Sequence, residues 1–155
     1  MQERRIGNRL IMVQQDKKTH ISYLPHTADI RMRVTAPDLK RLYARAVEGM
    51  NGILKEGFCG RERGPASVET SFEVKGADPS ILLVDFLSEV LSSSYADKCL
   101  FCRVKTQPGE NRVLARLQGT EVDGFDEEIK AVTYHEAQVR RKENGEWEAL
   151  ILFDI

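Results

Sequence analysis

Ile129-Lys-Ala-Val-Thr-Tyr-His-Glu-Ala-Gln-Val-Arg-Arg-Lys142 runs through Glu143-Asn144-Gly145 into Glu146-Trp-Glu-Ala-Leu-Ile-Leu-Phe153. An Asn-Gly pair between two β-rich runs is the strongest short hairpin signal, because both residues tolerate the positive φ that a tight turn demands. Trp147, Ala149, Ile151 and Phe153 share one strand face, so this stretch reads as two antiparallel strands. Upstream, Cys99–Thr106 and Arg112–Gly119 flank Gln107-Pro108-Gly109-Glu110-Asn111, a second hairpin turn. Val68, Thr70, Phe72 and Val74 alternate with Glu69, Ser71, Glu73 and Lys75, and Ile30, Met32 and Val34 alternate with Arg31 and Arg33. Each alternation marks a strand with one wet face.

Two segments break this β pattern. Leu39, Leu42, Tyr43, Ala46, Val47, Met50, Ile53 and Leu54 recur every three or four residues after Pro37-Asp38, which predicts an amphipathic helix with proline at an early position. Asp78-Pro79 repeats the start signal ahead of Ile81–Leu91, which is apolar nearly all round and is expected to be the more deeply buried helix. Helices early and hairpins late suit an α+β fold, two helices packed on a mostly antiparallel β-sheet. Residues 20–155 are read as that single domain. Residues 1–19 hold Arg4, Arg5, Arg9, Lys17 and Lys18 without a sustained apolar period, and are read as a basic, flexible extension.

Composition narrows the function classes. The 155 residues carry 23 basic and 24 acidic side chains, a formal net charge of -1 that argues against a dedicated nucleic-acid binder. No apolar run approaches the ~20 residues of a membrane span, and the N-terminal stretch lacks a secretory h-region. The three cysteines are too few and too odd for a disulfide framework, so a cytoplasmic protein is expected. Cys99-Leu-Phe-Cys102 has CxxC spacing but no second ligand pair, and is read as buried strand cysteines rather than a zinc site. No glycine-rich nucleotide loop or hydrolase elbow occurs.

Three clusters carry candidate chemistry. His26-Thr27-Ala28-Asp29 follows Pro25 in a turn that would present polar groups at a sheet edge. Ala149–Phe153 runs straight into Asp154-Ile155, where an α-carboxylate would lie beside the Asp154 side chain. Joined by Asp29, these groups would offer three hard oxygen donors, which select Ca²⁺, Mg²⁺ or Mn²⁺ over zinc. On the third cluster, strand alternation places Lys130, Val132 and Tyr134 on one face and Thr133 and His135 on the other. A metal-dependent phosphoesterase or nucleotide hydrolase would use the same ingredients, Asp29 and Asp154 holding the ion and His26 or His135 serving as base.

Taken together, the clusters resemble the archease family. Tyr23-Leu-Pro-His26-Thr-Ala-Asp29-Ile is similar to its [DE]HTAD[IV] opening, Lys130-Ala-Val-Thr-Tyr-His135 to its KA[VI]TYH strand, and Phe153-Asp154-Ile155 to its DI ending. Leu39–Leu54 and Ile81–Leu91 are similar to its two helices. The resemblance implies a small non-catalytic protein cofactor of an RtcB-type RNA ligase, associated with tRNA or broken RNA only through that partner. It implies promotion of ligase guanylylation and of multiple turnover in tRNA splicing or RNA repair. It also places a divalent cation, Ca²⁺ foremost with Mg²⁺ or Mn²⁺ in function, on Asp29, Asp154 and the Ile155 carboxylate. Lys130 would take part in ligase activation, with His26 and His135 as further candidates. Two departures stand out: Pro25 replaces the usual acidic residue, and Glu121–Glu128 lacks the family's loop histidine.

Overall fold

The computed structural model describes residues 19–24, 29–61 and 65–155, together with the backbone of 2–6 and 9–13. In the basic arm, β1 (Gln2–Ile6) and β2 (Arg9–Val13) pair antiparallel. From residue 20 onward seven strands and two helices follow: β3 (His20–Leu24), β4 (Asp29–Ala36), α1 (Leu39–Leu54), β5 (Val68–Lys75), α2 (Pro79–Asp97), β6 (Cys99–Pro108), β7 (Arg112–Glu121), β8 (Ala131–Arg141) and β9 (Trp147–Asp154). The strands form two fully antiparallel sheets, ordered β3-β4-β9-β8 and β5-β7-β6. The fold is α+β, as the order of helices and hairpins indicates.

Both helices start on an aspartate cap. Asp38 accepts the Arg41 backbone N–H at 2.8 Å, and Asp78 accepts that of Ser80 at 2.7 Å, each satisfying an otherwise orphaned donor. Pro79 occupies the first helical turn, whereas Pro37 stands one residue outside its helix. Helix α1 has the expected bounds. Helix α2 runs six residues past Leu91, because Tyr95 anchors its last turn: the Tyr95 hydroxyl donates to the Ile129 carbonyl (2.8 Å) and accepts from the Ile129 N–H (2.7 Å). Its ring also packs edge-on against Phe125, centroids 5.2 Å apart. Serines 92–94 have weak helix propensity, so the extra turns depend on such tertiary contacts, on burial of Ser94 and on the Lys98 cap, whose N–H donates to the Ser94 carbonyl.

The core lies between the helices and the inner faces of the two sheets, with Met32, Leu42, Met50, Leu83, Phe86, Phe101 and Phe153 fully enclosed. The expectation that α2 is the more deeply buried helix holds over Ile81–Leu91, where seven of eleven positions are buried, but not over the whole helix. Buried positions number nine in α1 and eight in the longer α2, and Ile81 is 45% exposed. Gly119 is required by close approach, since a Cβ there would stand 3.0 Å from the Leu100 carbonyl oxygen and 2.9 Å from the Phe101 ring.

The cysteines correct the sequence reading. Cys102 is not a plain strand cysteine but forms a disulfide with Cys59, 43 residues earlier in the loop after α1. Only Cys99 is a free, buried thiol. Nothing in the local spacing marks Cys59 as a partner, because the pairing depends on α1 lying along β6.

A candidate acidic site at one end of the four-stranded sheet

The register of the four-stranded sheet brings the first and last clusters together. Asp29 opens β4 and pairs directly with Asp154, which closes β9. On the far side of β9, Asp154 pairs with Ala131, and its carbonyl accepts the Lys130 backbone N–H at 2.7 Å. Asp29, Asp154 and Ile155 are all half-buried, while Lys130 is exposed. Three strands therefore converge on one end of the sheet with two carboxylates side by side. His26 lies outside the described residues.

Side chains directly opposed across an antiparallel pair have Cβ atoms about 4.5–5.5 Å apart, and like charges so placed repel. A cation between them removes that cost. The donors here are hard oxygens from Asp29, Asp154 and, beyond them, Ile155, a set that fits a divalent ion of the Ca²⁺, Mg²⁺ or Mn²⁺ kind. Among the described residues, no three His, Cys, Asp or Glu side chains gather into a cluster able to hold a metal. The set thus supplies at most part of a six- to eightfold shell.

Behind this acidic row lies a second row that the motif reading missed. Arg31 pairs with Leu152, which pairs with Thr133, all on the same face as Asp29 and Asp154. Arg31 forms an ion pair of 3.1 Å with Glu136, while its Nε and the Thr133 Oγ1 are buried with no hydrogen-bond partner among the described residues. Period-2 alternation already put Arg31 on the face of Asp29. What the sequence hid was the bulge that brings Glu136 back to it.

The same bulge ends the regular β8–β9 pairing inside the third cluster, after Thr133. Between Thr133 and Gln138 the β8–β9 register shifts, and Glu136 adopts φ of 57°. Val132 is buried, but Tyr134 stands 60% exposed and hydrogen-bonds Asp85 on α2. That bond, with the charge of Asp85, pushes the Tyr134 pKa up. His135 lies in the same bulge with its side chain 77% exposed, its Nε2 3.9 Å from Glu136 Oε1. Lys130 adjoins the acidic end; His135 is set apart from it along the strand.

The loop between β7 and β8 is tied to the end of α1. Asp126 N–H donates to the Leu54 carbonyl at 2.8 Å, and Lys55 Nζ donates to the Gly124 carbonyl at 3.3 Å and lies 3.7 Å from Asp126 Oδ1. A cleft of about 390 Å³ lies elsewhere, between α1 and β6, with Tyr23, Asn51, Lys55 and the Cys59–Cys102 disulfide on its walls. It contains none of the candidate site residues.

Residues 22–155 match the model of the Archease protein family (MTH1598/TM1083). The chain belongs to the archease family. It is 32% identical over 155 residues to Protein archease of Methanosarcina acetivorans, covering 93% of this chain and all of that one. Protein archease of Pyrococcus furiosus is 28% identical over 138 residues, covering 84% and 94%. The fold is similar to the solution structure of Methanobacterium thermoautotrophicum protein 1598, with a TM-score of 0.71, 23% identity and coverage of 87% and 98%. It is also similar to a Thermotoga maritima crystal structure described as an archease, possible chaperone, with a TM-score of 0.60, 16% identity and coverage of 85% and 94%. Every element from β4 to β9 lies within the archease match, and so does the Asp29–Asp154 pair. No helix among the described residues is long and apolar enough to cross a membrane.

Proposed function

We propose that this archease is a non-catalytic protein cofactor of an RtcB-type RNA ligase, promoting guanylylation of the ligase and its repeated turnover in tRNA splicing or RNA repair. The observation that carries the reading is the register of Asp29 opposite Asp154. It supports a divalent-cation seat made by those carboxylates and that of Ile155 at the end of the sheet. When bound, the cation neutralises the carboxylates and offers its remaining coordination positions to anionic groups of the partner. Ca²⁺ is the first candidate, with Mg²⁺ or Mn²⁺ serving in function.

The chain's own part in the mechanism is positional. Asp29 and Asp154 are held on adjacent strands, so their separation is set by backbone hydrogen bonds rather than by a flexible loop. The Lys130 N–H to Asp154 carbonyl bond fixes the exposed Lys130 beside the acidic end. Its ammonium can then meet phosphate or carboxylate groups on the ligase surface. His135 does not fit a general base for hydrolysis: its side chain is 77% exposed, and the Glu136 carboxylate at 3.9 Å is too far to orient the ring by a hydrogen bond.

The test is addition of the purified protein to an RtcB-type ligase with substrate in large excess, following GMP transfer to the ligase and RNA joining. A rise in both under multiple turnover is expected, with no phosphoester hydrolysis by the protein alone. Phosphoester turnover without ligase, together with no stimulation, would replace the cofactor reading with the hydrolase one.

A further inference from the structure

The three-stranded sheet turns one face to the helices and the other to solvent, and the solvent face has an unusual charge pattern. Lys75 on β5, Arg103 and Lys105 on β6, and Arg112 and Arg116 on β7 are exposed and lie on this face. Two of the cross-strand pairs are cation against cation: Lys75 opposes Arg112, and Lys105 opposes Arg116. Glu69 reaches Arg116 at 2.7 Å, and Glu73 lies 3.4 Å from both Arg112 and Lys75. Arg103 and Lys105 have no carboxylate within ion-pair distance among the described residues. Five cations thus meet two carboxylates on one face of a chain whose formal charge is -1.

Directly opposed like charges destabilise a sheet, so this pattern does not serve the fold. It suits a polyanion. We propose that the outer face of β5-β7-β6 docks the phosphate backbone of RNA without reading its sequence, Arg103 and Lys105 supplying the unneutralised charge. The choice of RNA rests on the ligase reading above.

The makeup of the face favours a nucleic acid over an acidic protein. A stable protein interface is built round a desolvated apolar or aromatic centre, and the only apolar side chain in these rows is Leu114, half-buried. Stacking of unpaired bases needs aromatic rings, which these rows also lack. Phosphate contacts need only cations at regular spacing, and a strand presents same-face residues every ~6.6–6.8 Å.

The test is fluorescence anisotropy of a labelled 20-nucleotide single-stranded RNA with the full chain, at 50–200 mM KCl and without ligase. The wild type is expected to bind and to weaken as salt rises. The Arg103→Gln/Lys105→Gln variant is expected to bind more weakly at 50 mM. Loss of two phosphate contacts lowers the slope of log K against log salt by about 1.4, so the affinity lost between 50 and 200 mM salt becomes about sevenfold smaller. The variant should unfold at the same temperature as the wild type, or slightly higher. An unchanged affinity and slope would overturn the proposal, as would a loss confined to an Arg4→Gln/Arg5→Gln/Arg9→Gln control. If the double variant bound RNA normally but lost ligase association, the face would be a protein-docking surface and the RNA proposal would fall. RNA binding that survives without ligase stimulation would sink the cofactor reading and leave this one standing.

Discussion

Cys99 begins β6 fully enclosed, and burial, then the charges of Asp97 and Glu121, push its thiol up to about 11 from an ordinary value of 9.0. The sign follows from proton linkage. Between those values the unfolded thiol ionises while the folded one stays neutral, so its stabilising contribution is complete below pH 9.0 and is lost as pH rises toward 11. Native protein at pH 8 should therefore leave Cys99 unlabelled by an aromatic disulfide reagent, with labelling only on unfolding. Between pH 9 and 11 the denaturation midpoint should fall more steeply for the wild type than for Cys99→Ala. Equal pH slopes would contradict this. The acidic pair makes the second prediction at this scale. Asp154→Asn removes a like-charge opposition, so with a chelator present it should cost no stability and should add about 0.2–1 kcal/mol in urea denaturation. Asp29 and Asp154 were legible as candidates because each sits beside a recognisable motif. Arg31, Thr133 and Glu136 were not legible together, because a bulge breaks the alternation on which strand reading depends.

The bounds of α1, β5 and β7 are legible in the sequence because their apolar residues keep one period from end to end, whereas β6 and β8 each carry a bulge. Helix α2 was read too short for an opposite reason: Ser92-Ser93-Ser94 ends the apolar pattern, while a contact that sustains the helix comes from Ile129, 34 residues beyond Tyr95. Tyr95→Phe strips both hydrogen bonds and leaves the Ile129 N–H and carbonyl without that partner. A loss of about 1–3 kcal/mol is expected in chemical denaturation. Amide exchange in the last turn of α2 should also become faster than in its first turns. Uniform exchange along the helix would show that Tyr95 is not the anchor. The division of the strands into two sheets was likewise beyond the pattern, since alternation tells which face is wet but not which strands are neighbours.

Over the whole molecule, the Cys59–Cys102 bond ties the loop after α1 to β6 across 43 residues of chain. A cross-link of that span stabilises mainly by restricting the unfolded chain, and its removal typically costs about 2–4 kcal/mol. Cys59→Ser should therefore lower the melting temperature, and a dithiol reductant should lower that of the wild type to a similar value. Identical melting of wild type and variant under oxidising conditions would mean that the bond contributes nothing. The parity of three cysteines argued against a framework but could not exclude one bridge, and only the packing of α1 on β6 reveals it. The same limit applies to function: each motif marked its own neighbourhood, while the antiparallel closure of β9 on β4 joined the two ends of the domain. Calorimetric titration of Ca²⁺ into wild type, Asp29→Asn and Asp154→Asn, each shown to be folded by its thermal transition, tests that closure as an ion seat most directly. One bound ion per wild-type chain and none in either variant is the expected result; equal binding by all three would contradict it.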